Sequence, residues 1–141
     1  MKENGARIGE ARFALLMTGT DLPIAEAETL LDVKPTRVIH AGEIINQVPE
    51  VRAVKDEWVH AIQLHHPMGD EPALNELLSL LADHRDELKA LAARCQVTLR
   101  LYVQSDYAQV NYLLSEGTLK RLAELGLPLE VSTLSWGETG L

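Results

Sequence analysis

Five histidines are the residues of this chain best suited to hold a metal or move a proton near neutral pH, and three of them, His60, His65 and His66, fall close together. Their spacing speaks against a metal centre. Adjacent side chains on extended backbone point to opposite faces, and no cysteine pair assists, so no metal is expected at His60, His65 or His66. Acid–base chemistry would need His60, Glu43 and His40 to converge in one pocket, which defines a small hydrolytic or metal-assisted enzyme as one alternative. Nucleophiles are poorly supported. Cys95 sits on an apolar helical stripe, and Ser115 precedes a helix without a Gly-x-Ser-x-Gly elbow, so packing and capping account for them. Gly117 and Gly126 make no phosphate loop, and neither a Walker motif nor a dinucleotide fingerprint occurs, so no cofactor is expected.

Binding has better candidates. Gly42-Glu43 opens a polar stretch that ends at Trp58, a large amphipathic side chain, with His60 two residues on. Arg100 and Tyr102 share one face of a strongly alternating segment, and Arg, Tyr and Trp are enriched at interface hot spots. Glu43, Trp58, His60, Arg100 and Tyr102 therefore form the candidate ligand or partner surface. Trp58 and His60 share one strand face, so pairing with the Arg100 strand is expected to merge the two sets.

The elements that must position these residues can be read along the chain. Arg12 to Met17 is an apolar strand, turned at Gly19, with Asp21 as a candidate helix cap and Pro23 in the first turn of a short helix bearing Ile24, Ala27, Leu30 and Leu31. Thr36 to His40 is extended, Glu43 to Asp56 reads as a loop, and Glu57 to Leu64 is a strand. Asp70, Glu71 and Pro72 start a helix whose stripe runs through Leu74, Leu77, Leu78, Leu81, Leu88, Leu91 and Cys95. Asp83-His84-Arg85-Asp86 interrupts that stripe and predicts a break. Val97 to Gln104 alternates cleanly, with Val97, Leu99, Leu101 and Val103 inward. Val110 to Leu114 reads as a weaker strand, Ser115 as the cap of a helix with Leu119, Leu122 and Leu125 inward, and Gly126 as its end; Leu127 to Ser135 is the last strand. This order predicts an α+β fold: an antiparallel sheet backed by helices, with a ferredoxin-like β-α-β-β-α-β core and an added β-α-β unit. The domain is expected over residues 11–136, with tails at 1–10 and 137–141.

Composition fits that architecture. The chain has 141 residues, 46% hydrophobic and 24% charged, the profile of one globular domain. Thirteen Lys and Arg against 21 Asp and Glu give a net charge of -8, which repels a phosphate backbone and excludes nucleic acid as a natural partner. A single cysteine points to a reducing compartment, and the absence of a signal-like or membrane-length apolar run points to the cytoplasm and away from membranes.

Arg12 to Met17, Leu31-Asp32-Val33-Lys34-Pro35-Thr36, Gly42-Glu43, Trp58, and Leu113-Leu114-Ser115 through Leu125-Gly126-Leu127 together carry a likeness. The chain resembles the domain of unknown function 4279 family from Ala11 to about Thr133, with Asp32 standing where that family usually has Gly. The resemblance implies bacterial origin and a small stand-alone α+β domain, and it implies no activity. The expected role is a non-catalytic binding or interaction domain for a protein or peptide, an immunity-like inhibitor being one case. The alternatives are the enzyme above and a structural homodimer paired through a strand edge.

Overall fold

In a computed structural model, residues 8–64, 71–107 and 112–138 are described. The chain runs β1 (Ile8–Gly19), α1 (Ile24–Leu31), β2 (Arg37–Ile39), β3 (Ile44–Asn46), β4 (Val51–Arg52) and β5 (Asp56–Leu64). It continues through α2 (Glu71–Asp83), α3 (Arg85–Ala92), β6 (Gln96–Tyr107), α4 (Glu116–Leu125) and β7 (Leu129–Glu138). One five-stranded sheet in the order β2-β5-β1-β6-β7 is backed by four helices, so the fold is α+β. β1 begins at Ile8, inside the stretch expected as tail.

β1 lies at the centre, with an apolar row facing the helices and Ala14 and Leu16 buried on its other face. It pairs antiparallel with β5 and β6, and β2 pairs antiparallel with β5. β7 departs from the antiparallel pattern: it runs parallel to β6, as the crossover through α4 demands. Odd residues of β1 and β6, including Phe13, Leu15, Met17, Leu99, Leu101 and Val103, face the helices and join Leu74, Leu78, Leu81, Leu88 and Leu91 in one buried cluster. Each such side chain contributes about 1.5–3 kcal/mol on leaving water.

The expected break in the long helix falls at His84, which separates α2 from α3. α4 is capped as expected: Ser115 Oγ accepts from Thr118 N at 3.2 Å, and Gly126 ends the helix at φ 68°. Its buried stripe is rotated from the expected one. Thr118, Leu122 and Leu125 face inward and Leu119 is half exposed, because spacings of four and three keep one face of a 3.6-residue helix whereas repeated threes drift off it. The Thr118 hydroxyl is satisfied by Asn75 Oδ1 at 3.2 Å, which ties α4 to α2.

Three other expectations are corrected. Asp21 does not cap α1; the helix starts after Pro23 without a side-chain cap, and the Leu22 N–H is held by Asp56 Oδ2 at 3.1 Å. Residues 43–56, expected as a loop, contain the hairpin β3-β4, closed by Ala53 N to Glu43 O at 2.8 Å. Tyr112 to Leu114 is not strand, and the preceding part of that expected element, like Asp70, His65 and His66, lies outside the described residues.

Candidate functional site

All four helices pack on one side of the sheet, so its other face is uncovered among the described residues. Even positions of β1 point there, and the register fixes their company. Arg12 lies opposite Gln63 and Tyr102, Ala14 opposite Ala61 and Arg100, and Leu16 opposite Val59 and Thr98. β7 adds Glu130 beside Arg100 and Ser132 beside Tyr102, and β2 adds Arg37 beside Val59. Twist makes this face concave. A trough of about 600 Å³ is lined by Arg12, Arg37, Glu57, Val59, Arg100 and Tyr102 among others, and a hollow of about 390 Å³ adjoins it, sharing Glu57 and Arg100. Ala14 and Leu16, both buried, lie on the β1 rung of this face.

The trough gathers three arginines against one glutamate on a chain whose net charge is -8. The Arg12 guanidinium lies over the Tyr102 ring, 4.9 Å from its centroid, a cation–π contact. Arg100 Nε donates to Glu130 Oε1 at 2.7 Å, and the Tyr102 hydroxyl donates to Gln104 Oε1 at 3.3 Å. The side chains of Arg37 and Glu57 make no hydrogen bond or ion pair among the described residues. Arg37, an arginine without a carboxylate partner there, is suited to bidentate recognition of a carboxylate.

The candidate residues read from the sequence divide. Arg100 and Tyr102 meet in the trough. Trp58 is fully buried on the helix side, because Met17 of β1 lies opposite both Trp58 and Val97, which aligns the Trp58 face with the buried face of β6. His60 shares that side and lies opposite Leu15, its Nδ1 2.8 Å from Lys34 O. Glu43 closes the turn before β3: its Oε1 accepts from His40 N at 2.9 Å. Trp58, His60 and Glu43 therefore leave the proposed surface. Arg12, Arg37 and Glu57 belong to it; the β1 register is the signal that brings them in.

His40, Glu43 and His60 line neither the trough nor the hollow, and no group of three His, Cys, Asp or Glu side chains among the described residues is placed to hold a metal. Cys95 Sγ donates to Leu91 O at 3.3 Å; burial pushes its thiol up, and Arg94 only partly offsets this, the opposite of an activated nucleophile. The strongest electrostatic arrangement is structural. Asp56 accepts from Ala41 N at 2.8 Å and from Leu22 N, and these two hydrogen bonds hold its carboxyl below the usual carboxylate range.

Fold and site together define a small α+β domain with helices on one face and an arginine-lined open face on the other. The chain belongs to the domain of unknown function family DUF4279, whose profile matches residues 9–136. That span includes every residue lining the trough, together with Asp32 at φ 54°, the left-handed conformation that glycine favours. No curated protein and no solved structure matches the chain. No helix among the described residues is long and apolar enough to cross a membrane.

Proposed function

We propose that this domain is a non-catalytic binding module whose open sheet face receives a protein or peptide segment presenting a carboxylate. The observation that carries the reading is the trough: about 600 Å³ of concave surface lined by Arg12, Arg37, Arg100 and Tyr102 on an otherwise acidic chain. A buried nucleophile–base pair is not needed for such a role. Arg37 supplies the uncommitted fork, Tyr102 a rigid aromatic wall, and Arg12, over the Tyr102 ring, and Arg100, held by Glu130, line the same trough. The local charge favours an acidic segment of the partner. The fully antiparallel order β6-β1-β5-β2 supports a ferredoxin-like core with β7 as the added strand, and the single cysteine supports a cytoplasmic setting.

The test is capture and identification of a partner from source-cell lysate, followed by titration of the purified pair. Arg37→Ala and the double variant Arg100→Ala/Tyr102→Ala should each weaken that purified complex about tenfold or more while leaving the unfolding midpoint near that of the wild type. Undiminished affinity in both would overturn the assignment of this face.

A further inference from the structure

The two edges of the sheet are unequal. At one end β2 is only three residues long, a blunt edge. At the other, β7 is a ten-residue edge strand. Its irregularity, a register shift against β6, comes beyond Ser135, so Leu129 to Leu134 pair with β6 without interruption. That stretch has no proline, and its single charge, Glu130, is taken up by Arg100. Natural edges of this length are normally guarded by charge, proline or a bulge. The helix layer also stops short of it: Val131 is 57% exposed although its neighbour Leu101 is buried, and Leu134 on the opposite face is 49% exposed.

Backbone geometry says which groups await a partner. Leu99 N donates to Pro128 O, so even-numbered residues of β7 direct their peptide groups at β6, and Leu129, Val131 and Thr133 direct theirs outward. We propose that this edge pairs antiparallel with the same edge of a second copy of the chain, on a two-fold axis at Val131. Rotation about that axis sets Val131 against its own copy and Leu129 against Thr133 of the second copy, each as a hydrogen-bonded pair. On the helix side this continues the row from buried Phe13 and Leu101 through exposed Val131 into the mate. On the open side Glu130 meets Ser132, so no like charges are directly opposed. A second copy fits better than an unrelated strand because its apolar, hydrogen-bonding and charge patterns are complementary under the symmetry that creates the contact. The two troughs then lie on one continuous sheet. The interface is small, so association in the micromolar range is expected.

Sedimentation equilibrium of the full chain over a wide concentration range tests this. The wild type should show a reversible monomer–dimer mass. Val131→Lys, which sets two ammonium groups against each other, should weaken dimerisation by about tenfold or more. Val131→Pro should do the same while retaining the fold, because the N–H it removes points away from β6. Thr29→Lys, exposed on α1, should leave dimerisation unchanged. A wild type that stays monomeric throughout, or a dimer indifferent to every folded edge variant, including Thr133→Lys, would overturn the proposal.

Discussion

Asp32 offers a test in which stability should rise. It ends α1 at φ 54°, ψ 35°, with its N–H bonded to Glu28 O at 3.1 Å and its side chain exposed. The left-handed conformation costs a residue with a Cβ about 1–2 kcal/mol, with Asp near the lower figure because its short polar side chain tolerates it. The carboxylate also faces the negative end of the helix dipole, an exposed effect of about 0.3 kcal/mol. Glycine removes both penalties but gains freedom in the unfolded chain worth about 0.4–1 kcal/mol. Asp32→Gly should therefore stabilise the fold by about 0.5 kcal/mol, or roughly 2 °C in midpoint for a chain of this size. Asp32→Asn should recover only the charge contribution, and Asp32→Ala should destabilise, since alanine bears the conformational cost without the polar compensation. Urea titrations with a shared m-value measure all three. A destabilised glycine variant, or an alanine variant as stable as glycine, would refute the reasoning.

Other outcomes follow from the same physics. Leu101→Ala should cost about 2–5 kcal/mol by opening a cavity beneath the helices, whereas Arg100→Ala, one residue away on the other face, should cost about 1 kcal/mol or less through loss of its half-exposed pair with Glu130; urea denaturation compares them. Thr118→Val keeps the shape but strands Asn75 Oδ1, and should cost about 1–3 kcal/mol in the same assay. Asp56 has a folded-state pKa below its unfolded value, so its contribution is present above the ordinary carboxylate range and is lost as pH falls through that depressed pKa. Asp56→Asn should accordingly flatten the acid limb of a thermal-midpoint profile, and an unchanged limb would contradict the hydrogen-bonding assignment.

Alternation in Val97 to Gln104 was enough to divide Leu99 and Leu101 from Arg100 and Tyr102, because period two maps directly onto two faces. The charged interruption at His84 likewise marked the helix break. Trp58 was different. Its parity within β5 was legible, but the face that parity meant depended on pairing through β1, and a one-residue slip reverses it. Nothing local encodes that slip. The β3-β4 hairpin was hidden for another reason: its strands are short and exposed, so no buried face imposed a pattern on Ile44 to Arg52. Arg12 and Arg37 became site residues only through strand neighbours distant in sequence.

The central place of β1 also shapes how the chain must assemble. β1 leaves the ribosome before either neighbour and pairs on one side with β5 and on the other with β6, so Leu15 waits for partners as remote as His60 and Leu99. Until β5 emerges, its apolar helix-side row has no neighbour. Loops that large are closed late, so folding should be slow for a domain this size and should reach cooperativity only once β6 is available. A nascent chain halted before Gln96 would carry its most hydrophobic strand with one flank open, the state in which chaperone capture or aggregation competes with folding. The hazard of synthesis is thus concentrated at β1, and its relief arrives with β6.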